Sequence, residues 1–161
     1  MYIKPKYFRE EEFFSPSVIA EEIKKGSFGT IWRLIDSRII WTADKIREHF
    51  CGIGKTGNVD VMIMNDYLWG GKNKYRGYRS IDIDIIRDKN KFSQTSQHCF
   101  GRGIDYKFKH TTVDEVRNDI LNNQDEERYQ YITAVELDVT WNHNDVRSWN
   151  KGLSGIFAFR Q

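Results

Sequence analysis

Cysteine and proline are nearly missing from this chain, with two of each among 161 residues. Cys51 and Cys99 do not make a disulfide framework, which sets aside the small secreted scaffolds that depend on one. Without a Pro-rich linker, an internal repeat or a low-complexity tract, the expectation is one domain over residues 1–161, long enough to bury a real core. Charge of one sign is also lacking. Twenty-five Lys and Arg stand against 23 Asp and Glu, a formal net charge of +2. That balance offers no strong field for nucleic acid or for an anionic membrane. No apolar run reaches bilayer-spanning length, and Met1-Tyr2-Ile3-Lys4-Pro5-Lys6 has no apolar core of a secretory signal. The sequence therefore predicts a soluble protein made in the cytoplasm, any release requiring another route.

Aromatic residues, by contrast, are plentiful: five Trp, eight Tyr and ten Phe. Most are expected in the core, where aromatic packing dominates; Trp69, Tyr78 and Trp141 lie near the motifs below and are candidates to line a groove. A helix is predicted from Ser17 to Lys25, stopped at Gly26. A second is predicted from Thr30 to Phe50, where Ile31, Leu34, Ile35, Ile39, Ala43, Ile46 and Phe50 recur at helical spacing, closed by Gly52 and Gly54. Val59 to Asn65, Ile104 to Phe108 and Tyr131 to Val139 read as strands. Ser80 to Ile86 alternates Ile81, Ile83 and Ile85 with Asp82 and Asp84, as a half-exposed strand or hairpin arm does. Thr112 and Glu115 form a capping box ahead of Val116, Ile120 and Leu121. Helices and strands alternate without a βαβ rhythm, so the class is α+β with a mostly antiparallel sheet and flanking helices.

The chemistry concentrates in Ser96-Gln97-His98-Cys99-Phe100-Gly101-Arg102-Gly103-Ile104-Asp105 and in Trp141-Asn142-His143-Asn144-Asp145-Val146-Arg147. Two imidazoles and a carboxylate, His98, His143 and Asp105, are a set that holds a catalytic Zn2+ with one position left open. Gly101 and Gly103 allow the bend that brings His98 and Asp105 to one ion. Such an ion acidifies bound water and polarises a carbonyl. Each residue taken singly has a plainer reading, as a hydrogen-bonded core histidine or a strand-end carboxylate. His49 and His110 are read in that plainer way, and Cys99 as a small buried residue.

Ser96-x-His98-x-x-Gly101-x-x-x-Asp105 followed by Trp141-x-His143-x-Asp145-x-Arg147 resembles the zinc D-alanyl-D-alanine peptidase family. That family comprises VanX-type dipeptidases, D,D-carboxypeptidases and phage L-alanyl-D-glutamate endolysins of the hedgehog/DD-peptidase fold. Gly77-Tyr78-Arg79-Ser80 looks like the family's Ser-Gly-Tyr-Arg-Ser turn, with Arg76 in place of the first Ser. The element order also agrees, over most of the chain, and compact phage-encoded members are the most similar. The resemblance implies that His98, Asp105 and His143 bind zinc and that Arg79 faces the substrate, holding the developing oxyanion or a peptide carboxylate. It implies that Asp145 orients a ligand imidazole, while Ser96 caps the loop or hydrogen-bonds near the metal. The partner implied is a peptidoglycan stem peptide, with no nucleic acid and no membrane, in a cell-wall-degrading endolysin or a virion component.

One position departs from the family pattern. Active relatives carry an Asp or Glu three residues before the last zinc-binding His; here that residue is Thr140, which is no base near neutral pH. Glu136 and Asp138 lie on one face of the predicted strand and are the candidate bases. Glu136 is preferred for its longer reach, and the alternative leaves both carboxylates on a solvated face. Two functions stay open: a zinc peptidase cutting stem peptides, and a non-catalytic zinc-binding or structural phage protein on the same fold. Nucleic-acid binding through Lys72, Lys74, Arg76 and Arg79 is the weaker third, since these cations read as a solvated loop.

Overall fold

A computed structural model describes residues 3–52, 59–82, 95–151 and 155–160. The chain opens with α1 (Glu10–Phe13), one turn held by the Glu12 carboxylate accepting from the Arg9 amide at 3.0 Å. Ser15 caps α2 (Pro16–Lys24), its hydroxyl accepting from the Val18 amide, and Pro16 at the first helical position needs no donor. The chain leaves α2 through Gly26, at φ +68°. The continuous helix expected from Thr30 to Phe50 is two pieces, a 3-10 stretch Phe28–Leu34 and α3 (Ser37–Phe50). Ile35 is extended, and the Asp36 carboxylate accepts from the Arg38 amide to start α3 afresh. The Asp36 amide donates to the carbonyl of Gly101, so the break ties this helix to the His98 loop. Gly52, at φ +61°, follows α3 as expected; Gly54 lies outside the described residues.

β1 is only Met62–Ile63, shorter than the expected Val59 to Asn65. Its flanks are used elsewhere: Asp60 accepts from His110 and Thr111, and Asn65 receives the Arg76 amide. β2 (Gly103–Phe108) is followed by α4 (Val113–Asn122), whose Thr112–Glu115 capping box is formed as predicted. β3 is Ala134–Glu136, β4 is Asn142–Asp145 and β5 is Phe157–Phe159. The strand expected from Tyr131 to Val139 is thus cut to three residues, ending before Asp138, which sits at φ +60°. The arm expected from Ser80 to Ile86 runs beyond residue 82, outside the described residues.

The class is α+β as expected, but the sheet is mixed. Its order is β1-β2-β4-β3-β5, with β1–β2, β2–β4 and β3–β4 antiparallel and β3–β5 parallel. The parallel pair follows from the path: β4 reverses direction from β3, and the next strand, reversing again, lands on β3's other side. Ile104, Tyr106 and Phe108 alternate onto the face packed in the hydrophobic core with Ile39, Ile46, Val116 and Ile120. Phe13, Phe14 and Trp32 close that core in edge-to-face contacts, with ring centroids 5.2 and 5.3 Å apart. Gly103 and Asp105 necessarily point the other way. Among the described residues no helix is long and apolar enough to cross a membrane.

Candidate metal centre

In the β2–β4 ladder Asp105 stands opposite His143 and Gly103 opposite Asp145. Residues directly opposite on antiparallel strands share a face, so both pairs lie on the side away from the core. A Cβ on Gly103 would come 3.3 Å from His143 Cε1, so the glycine leaves room for the imidazole. His98 arrives from a 3-10 turn, Gln97–Phe100, closed by Gly101 at φ +64°. A side chain at Gly101 would meet the Leu34 carbonyl at 2.2 Å, which makes glycine necessary there twice over.

Three donor atoms converge. His98 Nε2 is 3.3 Å from His143 Nδ1 and 3.2 Å from Asp105 Oδ1, while His143 Nδ1 is 2.7 Å from the same Asp105 oxygen. Donors bonded to an ion at about 2.0–2.1 Å in tetrahedral array stand roughly 3.3 Å apart. Two of the three edges have that length already and the third is shorter. His98, Asp105 and His143, all buried, could therefore hold a metal ion.

Each donor is oriented from behind. His98 Nδ1 lies 2.7 Å from the Gly77 carbonyl, an acceptor only, so Nδ1 carries the proton and the Nε2 lone pair faces the cluster. His143 Nε2 lies 3.2 Å from Asp145 Oδ2, which leaves Nδ1 for the ion. Asp145 is fully buried and also accepts from Arg147 Nη2 at 2.6 Å. The Gly77 turn is itself strapped down: Tyr78 donates its amide to Phe13, Asp105 to Arg76 and Arg79 to His98.

The electrostatics fit a site built around a cation. Burial disfavours charge on His98 and lowers its pKa, although Asp105 pulls the other way. Burial likewise opposes charge on His143, but hydrogen bonds to Asp105 and Asp145 outweigh it and raise the pKa to about 9. Asp105 resists its own burial through His98 and His143 and stays far below the usual carboxylate range.

Arg79 is in the site, though not projecting from it. Its Nη2 pairs with Asp105 Oδ2 at 2.9 Å and its Nε donates to the Tyr75 carbonyl. Glu136 is 2% exposed, and its Oε1 is buried with no hydrogen-bond partner among the described residues. Burial raises its pKa, and charges on His143, Asp105, Arg117 and Arg79 act on it in turn. Ala134 stands opposite Asp145 in the ladder, and Glu136, two residues on, shares that face, near enough to His143 for its charge to act on the carboxyl.

The other candidate base does not join them, which corrects the expectation for Asp138. Its side chain is 67% exposed and pairs with Arg160. The same-face argument required a strand through residue 138, and the left-handed backbone there ends it. Thr140 is exposed. Ser96 makes no side-chain cap, and its carbonyl accepts from the Cys99 amide. Tyr78 packs edge-on against Phe14 and also lines a surface groove with Val18, Arg33 and Leu34, and His49 pairs with Asp119. Sequence reasoning missed the Gly77 carbonyl, visible only as a glycine in a turn, and Phe159, whose ring centroid is 5.9 Å from that of His143.

The chain matches no protein-family model, no curated protein and no solved structure. The resemblance to the D-alanyl-D-alanine peptidases consequently rests on the motif residues themselves.

Proposed function

We propose that this protein is a zinc metallopeptidase of the D-alanyl-D-alanine peptidase type, on a hedgehog/DD-peptidase-like fold, hydrolysing peptidoglycan stem peptides in a phage-related setting. The observation that carries this reading is the convergence of His98 Nε2, Asp105 Oδ1 and His143 Nδ1, two of the three separations at the tetrahedral edge length, with the Glu136 carboxylate on the same face, its buried Oε1 without a hydrogen-bond partner among the described residues. Two imidazoles and one carboxylate are a catalytic zinc donor set. Zinc held there supplies an acidified water and a Lewis acid for a peptide carbonyl.

The chain's own residues do the rest. Glu136 takes a proton from the attacking water and delivers it to the leaving amine; its burial holds its pKa up towards the range such a shuttle needs. Arg79, anchored by the Tyr75 carbonyl and Asp105, sets positive charge beside the reacting carbonyl as negative charge develops on its oxygen. Asp145 and the Gly77 carbonyl keep both imidazoles in the tautomers that ligation requires.

The test is metal analysis of the purified protein, followed by incubation with defined muropeptides and product analysis by mass spectrometry. The reading expects one zinc per chain, cleavage at a stem-peptide bond, and loss of both in His98→Ala. Zinc at stoichiometry with every stem-peptide bond intact would overturn the peptidase claim. It would favour a non-catalytic zinc-binding phage protein, a reading supported by Thr140 standing at the usual base position. Absence of any metal would favour a third state of affairs, in which the Arg79–Asp105–His143 hydrogen bonds are simply a buried polar network.

A further inference from the structure

The metal face does not end at the ligands. β5 lies beside β3 with Phe159 opposite Glu136 and Phe157 opposite Ala134, so both rings share the face that carries His143 and Asp105. The rings are parallel, 9° apart with centroids at 6.0 Å, and Phe157 is 57% exposed. Arg147 lies over them, its guanidinium carbon 4.4 Å from the Phe159 centroid and 5.8 Å from that of Phe157. Asp145 grips only one edge of that guanidinium, through Nε at 2.9 Å and Nη2 at 2.6 Å. The Nη1 end contacts no acceptor among the described residues.

A guanidinium has two edges able to make paired hydrogen bonds, and a planar carboxylate matches either. Here one edge is spent inside the protein and fixes the plane. The other is presented on a flat aromatic shelf, with the Asp145 carboxylate alone between it and His143 of the donor cluster. A doubly charged phosphate fits less well, because Asp145 has already matched the single positive charge. We infer that Arg147, Phe157 and Phe159 form a subsite for a substrate carboxylate, held on the outer edge of Arg147 while neighbouring hydrocarbon of the peptide lies on the two rings. This rests on the peptidase reading for its ligand class, and it adds residues that the motif resemblance does not assign to substrate. In a stem peptide the carboxylate has two sources, the chain end and the α-carboxylate of the D-glutamyl residue.

Binding separates these ideas from turnover. Four peptides serve as probes: L-Ala-γ-D-Glu-L-Lys-D-Ala-D-Ala, its C-terminal amide, its D-isoglutamine form, and the form amidated at both. Each is titrated calorimetrically into zinc-loaded Glu136→Gln protein, and peptide integrity is checked by mass spectrometry afterwards. Removing the recognised carboxylate is expected to weaken binding about tenfold, and which amide does so names the source. Arg147→Gln added to that background should abolish the acid-to-amide ratio, and Phe157→Ala should weaken every form alike while keeping it. Equal binding of all four peptides overturns the inference, as does a ratio that survives Arg147→Gln or vanishes only in Arg79→Gln. Should Arg147→Gln fail to fold, the exposed Phe157 decides: unchanged affinity in Phe157→Ala refutes the shelf. Discrimination without hydrolysis by the unsubstituted chain sinks the peptidase reading and leaves the subsite. Hydrolysis without discrimination does the reverse.

Discussion

Replacing Asp145 by Asn tests whether the residue behind a ligand governs the metal centre. Asp145 Oδ2 receives His143 Nε2 at 3.2 Å and Arg147 Nη2 at 2.6 Å; Oδ1 receives the Arg147 amide at 3.1 Å and its Nε at 2.9 Å. Every partner of both oxygens is therefore a donor. An asparagine of the same shape must turn its NH2 towards one of these pairs. Turned to His143, it makes Nε2 the acceptor and puts the proton on Nδ1, removing the lone pair aimed at the ion. Turned to Arg147, it sets donor against donor in a fully buried position. Either way the imidazole is less firmly held, and losses of this kind cost about 10- to 100-fold in metal affinity. Metal-free stability should also fall by about 2 kcal/mol, because charged hydrogen bonds are broken where water reaches only the Arg147 side. The assay is competition for zinc against a chromophoric chelator, with urea melts of the metal-free proteins alongside. If zinc affinity stays within a factor of two while stability drops, Asp145 serves only Arg147 and the orienting argument is wrong.

Glu136→Gln should lower stem-peptide cleavage by about 10²- to 10⁴-fold at unchanged zinc content, whereas Asp138→Asn should leave the rate as it is; equal losses in the two variants would reject the assignment of the base. Gly101→Ala places a Cβ 2.2 Å from the Leu34 carbonyl at a positive φ, so the melting transition should shift by about 2 kcal/mol or more, and an unshifted melt would contradict the packing of the His98 loop. Asp60 is the place to look for acid sensitivity. Burial alone would raise its pKa, but hydrogen bonds from Thr111, Val61 and His110 bring it from 3.8 to about 2. A group depressed on folding stabilises above its unfolded value and loses that contribution as pH falls through the folded one. Asp60→Ala should therefore cost about 2 kcal/mol at pH 7, with the difference shrinking between about pH 4 and pH 2; a constant difference down to pH 2 would show that charge is not its source.

The parts of the fold that were legible are those whose signals are local. The Thr112–Glu115 box is a contact three residues long, and α4 begins where it says. Periodicity misled between Thr30 and Phe50, because Ile31, Leu34, Ile35 and Ile39 keep helical spacing across a break that is not helical. The mark of the break was Asp36, a capping residue in front of Ser37. Strand lengths were overread at β1 and β3 for a different reason. β-branched runs announce an extended segment, but Asp60, Asn65 and Asp138 commit to other elements, which only the tertiary structure shows. β5 was illegible, since nothing near Phe157 says that it pairs in parallel with a strand some twenty residues earlier. His98 and Asp105 were readable because Gly101 and Gly103 lie between them, and His143 through the Trp141-x-His143-x-Asp145-x-Arg147 run; Glu136 needed the β3–β4 register to be told apart from Asp138.

β4 joins these observations. All four of its residues, Asn142, His143, Asn144 and Asp145, are polar, and all four are buried. A central strand of a small domain ordinarily alternates apolar with polar or is apolar throughout. On the core face Asn144 accepts from the buried Tyr106 hydroxyl, while its own Nδ2 and that of Asn142 have no hydrogen-bond partner among the described residues. Burying such groups without partners costs stability, so packing alone gives no reason to keep them. The other face offers a reason under the proposed metal reading: His143 and Asp145 sit at alternate positions beside Asp105, so that one could meet an ion while the other orients that imidazole. Local rules that fail together at one strand, with a candidate donor cluster on its open side, are what the proposed metal chemistry at that strand would require.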